Sequence, residues 1–259
     1  MSKKTKLDNR ETLKNYFKNG NRPSQENFGS LIDSMINKAD DGISKTPEDG
    51  LILAPKGEES NRTLSFFNEI GSERPNWSIE LVKGEVGGLG IVQPSGIEND
   101  PGQTKMFFNK SGKIGVQTTK PETDFEVNGI IGIKSRVGTY KLATVPADGT
   151  WHTVLETKGG VNGYEVVAQA GLEASGKHSL LHAIALGTFG QFRIRRTQSW
   201  WGFFWWNRLA IQWKGDRHNH KLQLKTRSHY GKDVQIKFHI TELWGNDIKA
   251  MFESNEPNK

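Results

Sequence analysis

The stretch Asp233-Val234-Gln235-Ile236-Lys237-Phe238-His239-Ile240-Thr241 places apolar side chains at 234, 236, 238 and 240 and polar ones between them. Side chains alternate across a strand, so this pattern gives one buried and one wet face, as antiparallel sheets have. The same alternation recurs upstream. Leu209, Ile211 and Trp213 alternate with Ala210, Gln212 and Lys214; Leu222 and Leu224 with Lys221, Gln223 and Lys225; Phe192 and Ile194 with Arg193 and Arg195. Extended runs at 151–155, 164–168 and 181–186 bring the expected number to about seven strands. Residues 139–250 therefore read as a C-terminal antiparallel β-sandwich head, and 251–259 as a polar tail.

Residues 46–138 lack a helical pattern. Short extended stretches at 51–53, 63–67, 77–81, 106–108 and 113–116 are separated by Gly, Pro and Asn turns. Few bulky residues are available to fill a globular interior. The segment fits an extended, intertwined β-shaft or collar completed by identical neighbouring chains.

Residues 1–45 read as a short helical pair. One helix runs near 9–17, the Asn19-Gly20-Asn21-Arg22-Pro23 stretch breaks it, and Ser24 is a good N-cap for a second. Phe28, Leu31, Ile32, Met35 and Ile36 follow at helical spacing and share one face. Helices this short cannot bury such a stripe alone. Phe28, Leu31, Ile32 and Met35 are thus candidate attachment or oligomerisation residues; a cap on the chain's own β-region is the plainer alternative.

The chain has 259 residues, 34% of them hydrophobic, with 29 Gly and no Cys. That length suits one large or two to three small units. Absence of cysteine removes disulfides, thiol catalysis and thiolate metal sites together. No run of ~18 apolar residues occurs, so a membrane-spanning helix is not expected. Residues 1–8 have no apolar centre, so the expectation is synthesis in a bacterial cytoplasm without a signal peptide. Release would then occur by lysis or within an extracellular particle. Net charge is +6, unevenly placed. From Lys177 to Lys237 twelve Lys and Arg face only Asp216 and Asp233, so this segment carries +10 and leaves −4 for the rest.

The run Ser111-Gly112-Lys113-Ile114-Gly115-Val116-Gln117-Thr118-Thr119-Lys120-Pro121-Glu122-Thr123-Asp124-Phe125-Glu126-Val127-Asn128-Gly129 has its own logic. Gly112 and Gly115 permit tight turning or close backbone approach, Pro121 stops a strand, and Asn128-Gly129 is a tight-turn pair after a strand at 124–127. The run resembles a segment common in trimeric phage tail-fibre and tailspike-like proteins and trimeric adhesins. Gln117 replaces the usual Gly, and Phe125-Glu126 replace Leu-Asp. Residues 16–43 are similar to the attachment segment of fibre-like proteins in phage-tail-like contractile injection systems. With their flanks the two matches span roughly residues 9–60 and 108–132, about a third of the chain. The resemblance implies a homotrimer, an N-terminal attachment end on a baseplate or other particle subunit, and a C-terminal receptor-binding head. It implies no catalytic activity.

Ser199-Trp200-Trp201-Gly202-Phe203-Phe204-Trp205-Trp206-Asn207-Arg208 is the sharpest local feature. Consecutive aromatics cannot all point to one side of a strand, so some must be exposed or lie in an interface. Trp200, Trp201, Trp205 and Trp206 beside Arg196 and Arg208 suit stacking on sugars, a membrane interface or subunit contact. Arg193 and Arg195 share a strand face, with Arg196 displaced, and suit an anionic ligand; a charged edge that discourages aggregation is the alternative. A cell-surface glycan or anionic lipid is therefore the expected ligand of these eight residues.

His218 and His220 would share a strand face, but no third metal ligand is identifiable, and no metal site is expected. No phosphate-binding loop, dinucleotide fingerprint, nucleophile elbow or nucleic-acid motif is present. The chain reads as a non-enzyme without cofactor, catalytic residues or nucleic-acid partner. The leading expectation is a structural, surface-binding fibre or adhesin of a phage tail or injection particle. A free-standing lectin-like or pore-forming insecticidal toxin, and a cap or collar protein without host ligand, are the alternatives.

Overall fold

A computed structural model describes residues 8–38, 40–55, 61–69, 72–84, 87–95 and 102–254, excluding the side chains of 251, 253 and 254. The protein is mainly β, with several sheets and three short helices. It divides into two compact units, 1–131 and 132–259.

In the first unit, α1 (Arg10–Tyr16) starts where the Asn9 side chain accepts the Thr12 N–H at 2.9 Å. Helix α2 (Gln25–Asp33) starts on a reciprocal cap. The Asn27 N–H donates to Ser24 Oγ, and the Ser24 N–H to Asn27 Oδ1. Phe17 and Phe28 meet edge to face at 5.2 Å between centroids. The expected five-residue stripe is cut short. The Ser34 hydroxyl and N–H both bond back to the Ser30 carbonyl and close the helix, so Met35 and Ile36 lie beyond it.

Strands β1 (Ile43–Thr46) and β2 (Gly50–Leu53) form a hairpin. Strands β3 (Arg62–Phe66), β4 (Trp77–Val82), β5 (Gly88–Gln93), β6 (Gln103–Asn109), β7 (Ile114–Val116) and β8 (Phe125–Val127) form a six-stranded sheet in chain order. Strand β5 gives little sequence signal because glycine holds two of its positions. Close packing requires one of them: a Cβ on Gly88 would collide with the Phe108 carbonyl oxygen and the Phe107 ring. Gly115 is similar, lying against the Thr118 carbonyl. Asn128-Gly129 does not close a hairpin, because β8 runs parallel to β7 and the Asn128 N–H continues that pairing to the Val116 carbonyl.

Cross-strand partners share a sheet face. Here the partners are Leu64 with Ile79, Phe66 with Trp77, Leu81 with Leu89, Ile91 with Met106, Leu89 with Phe108, Ile114 with Phe125, and Val116 with Val127. One face is therefore apolar across all six strands. Yet six of its side chains, Phe66 and Phe125 foremost, are exposed and the others only half-buried. The opposite face carries the buried Ser78, Val92 and Phe107.

The second unit has eight strands: β9 (Lys141–Pro146), β10 (His152–Lys158), β11 (Val161–Leu172), β12 (Lys177–Thr188), β13 (Gln191–Trp200), β14 (Leu209–Gly215), β15 (Asn219–Thr226) and β16 (Gln235–Trp244). Helix α3 (Asn246–Ser254) follows. A five-stranded sheet, β13-β12-β11-β16-β9, and a three-stranded sheet, β10-β15-β14, bury their inner faces in one core. Tyr164, Val166, Leu181, Ile236 and Ile240 enter it from the larger sheet, and Val154, Leu209, Leu222 and Leu224 from the smaller. Strand β9 is the one the alternation missed. It shares a single registered pair with β16, Gln235 with Pro146, and only Ala143 and Val145 pack against the core while Leu142 is exposed, so its hydropathy does not mark the buried face. The expected polar tail is corrected in part: α3 continues to Ser254 and stacks Phe252 on Trp244 at 5.6 Å, while 255–259 lie outside the described residues.

His218 is not on a strand. It sits in the β14–β15 turn, where Asp216 Oδ1 accepts the His218 and Asn219 N–H groups at 2.8 Å each. His220 is buried between Phe192 and Trp213, and neither ring nitrogen has a partner among the described residues. Burial pushes its pKa below the ordinary 6.5. The folded chain therefore resists a proton that the unfolded chain accepts, so stability is lost as pH falls below that ordinary value. Thermal melting between neutral pH and about pH 5 should fall less in His220→Phe than in the parent.

Candidate surface-binding site

Four connections gather at one end of the second unit: 147–151, 173–176, 201–208 and 227–234. Strand register brings them together, with Leu172 opposite Lys177, Ser179 opposite Trp200, Leu209 opposite Thr226 and Gln235 opposite Pro146. Side chains then tie the loops. The Tyr230 hydroxyl is buried; it donates to the Asn207 carbonyl at 2.5 Å and accepts from the Ser179 hydroxyl at 3.0 Å. Burial raises its pKa, which keeps it a donor. Lys177 Nζ donates to the His229 carbonyl at 2.7 Å, and the Ser228 hydroxyl to the Trp206 carbonyl at 3.1 Å.

Loop 201–208 is pinned at its base and free at its tip. The Trp201 N–H donates to the His178 carbonyl. Asn207 is buried, and its Nδ2 donates to the carbonyls of Trp201 at 3.0 Å and Gly176 at 3.3 Å. Between these anchors Phe203 is fully exposed, and Trp201, Phe204, Trp205 and Trp206 are all exposed. Phe204 and Trp206 stack on each other at 4.2 Å, and Trp205 meets Trp206 edge-on at 6.3 Å.

Cations frame the rings. The Arg208 guanidinium lies 3.7 Å over Trp200, Arg227 lies 5.4 Å over Trp205, and Lys225 Nζ lies 4.7 Å over Trp151. Asp148, at the same end, sits 2.8 Å from His152 Nε2. That hydrogen bond and the Thr150 N–H hold its carboxyl well below the usual carboxylate range.

Of the eight expected ligand residues, the structure brings together Trp200, Trp201, Trp205, Trp206 and Arg208. Arg193 and Arg195 stand apart. They point to the outer face of β13, opposite Leu186 and Ile184, while Trp200 belongs to the other face. At ~3.3 Å per residue, Arg193 lies roughly 23 Å from Trp200 along the strand. Arg196 shares the Trp200 face but is about 13 Å away by the same measure. All three arginines lie exposed on an edge strand, where charge deters edge-to-edge pairing. Sequence reading missed Lys225, Arg227, Trp151 and Tyr230 because other segments deliver them, Lys225 from the end of β15 and the rest from other loops; Asn207 lies within the aromatic run itself, and only its burial shows its anchoring role.

In the first unit Phe28, Ile32 and Met35 are exposed and Leu31 is half-buried. Among the described residues no group of three His, Asp or Glu could hold a metal ion, and no helix is long and apolar enough to cross a membrane. No protein-family model matches the chain, and no curated protein matches it.

Asn207 holds the loop base, so Asn207→Ala should lower stability by about 1–3 kcal/mol, the cost of leaving buried polar groups unpaired. Chemical denaturation measures this. Proteolysis of the native protein should in addition cut at 201–208 faster than in the parent.

Proposed function

We propose that this protein is a homotrimeric fibre or adhesin of a phage tail or phage-tail-like contractile injection particle. Its N-terminal helices attach it to a baseplate or other particle subunit. The six-stranded sheet belongs to a shaft or collar closed by identical chains, and the β-sandwich head binds a glycan-bearing or anionic cell surface.

The observation that carries this reading is the apolar face of the six-stranded sheet. A contiguous apolar surface spread over six strands is unusual on a monomer and marks an interaction surface. Its cross-strand pairs contain no charged side chain and only the Trp77 indole as a polar group, so a second surface of its own kind matches it. Identical chains supply that surface in register, as closed symmetric assemblies do. Division of labour follows from the second unit, whose exposed rings and cations occupy one end and leave the first unit to assembly.

Light scattering on the intact chain should give a trimer mass. Phe66→Ser with Leu89→Ser should yield a monomer whose head melts unchanged; a monomeric parent at micromolar concentration overturns the assembly. Replacing Phe28, Leu31 and Ile32 by Ser should keep the trimer but abolish incorporation into particles, read by immunoblot of purified particles.

A further inference from the structure

Resting on the surface-binding reading above, we infer that the surface is a lipid bilayer: residues 201–206 enter its interfacial layer, and Arg208, Arg227 and Lys225 meet headgroup phosphates.

Side-chain chemistry of the tip selects this ligand over a sugar. Residues 201–206 read Trp-Gly-Phe-Phe-Trp-Trp, with no hydroxyl, amide, carboxylate or cation among them. A sugar site needs such groups to hold hydroxyls in fixed directions. The one amide nearby, Asn207, is buried and its Nδ2 is spent on two backbone carbonyls. Two of the rings are also partly used, since Phe204 and Trp206 each cover one face of the other at 4.2 Å. What remains outermost is Phe203, a ring with no polar atom, exposed on every side.

A bilayer interface accepts this set. Indole rings favour the headgroup level, where an apolar body and one N–H donor are both accommodated, and phenylalanine supplies apolar area for the acyl boundary. The pinned loop base presents the rings instead of letting them fold back. Each framing cation lies over an aromatic ring, so cation and ring reach the same depth of a headgroup layer together. Anionic lipid attracts such cations, and salt weakens only that part of the attraction.

The test uses the full chain with phosphatidylcholine vesicles, with and without phosphatidylglycerol, followed by co-sedimentation and tryptophan emission. The parent should sediment with both, more strongly with the anionic lipid, and its emission should shift to the blue. High salt should remove the anionic advantage and leave the rest. Phe203→Ser with Trp205→Ser should weaken vesicle binding by at least about tenfold, with unchanged melting and mass, and Phe203→Trp should retain it. Full vesicle binding by the double Ser variant overturns the inference, and so does a changed mass, which would place the rings between copies. Binding to intact cells or a glycan array without vesicle binding overturns the lipid assignment and leaves the adhesin reading standing. Binding to none of these overturns both. Dye release on vesicle binding upholds the lipid assignment and replaces the passive adhesin with a membrane-active protein.

Discussion

Close approach of two unequal sheets is the constraint on which the second unit depends. Alanine faces the core at 168, 170, 183 and 185, on the two longest strands, and larger residues face it from the smaller sheet, with Leu209, Ile211, Leu222 and Leu224. Small side chains opposite large ones let the layers interdigitate without voids. Strands β11 and β12 pair over twelve residues, from Val161 with Thr188 to Leu172 with Lys177. That ladder fixes where the neighbouring strands end, and hence which loops meet. Tyr230, Asn207 and Ser179 can close their buried hydrogen bonds only because the two sheets reach this common edge together.

Legibility of the fold follows how strongly burial acts on each strand. Strands β15 and β16 have one face in the core and the other partly in water, so their sequences alternate and read directly; β14 alternates in sequence although Ala210 on its outer side is buried as well. Strand β12 is apolar on both sides, with Leu181, Ala183 and Ala185 inward and Leu180, Ile184 and Leu186 outward, and only its central part reads as strand. Strand β9 packs only Ala143 and Val145 on the core while Leu142 is exposed, and β5 uses glycine for backbone approach, so neither carries a pattern that marks its buried face. The aromatic cluster was legible because six nearly continuous apolar residues contradict any one-sided element. Its partners were not, because Lys225, Arg227 and Trp151 arrive from other segments, the end of β15 and two other loops. Arg193 and Arg195 misled for a related reason: nearness in sequence becomes a separation of roughly 20 Å when the chain is extended.

Two of the apolar surfaces exposed among the described residues differ in shape, and their shapes call for different partners. The sheet face of the first unit is broad and regular, with side chains in rows set by strand register. A surface with matching rows excludes water from it most fully, which is what the proposed neighbouring copy would supply. The loop tip of the second unit has no such rows. Phe203, Trp201, Trp205 and the Phe204–Trp206 stack are all exposed on one short connection, with Trp205 set edge-on to Trp206, and three cations lie against aromatic rings at the same end. A rigid, regular partner would leave some of these rings in water, whereas a deformable layer that is apolar within and charged at its boundary can wet all of them at once. The same physical demand, removal of apolar area from water, is thus met differently on the proposed assembly surface and at the proposed binding tip because their geometries differ.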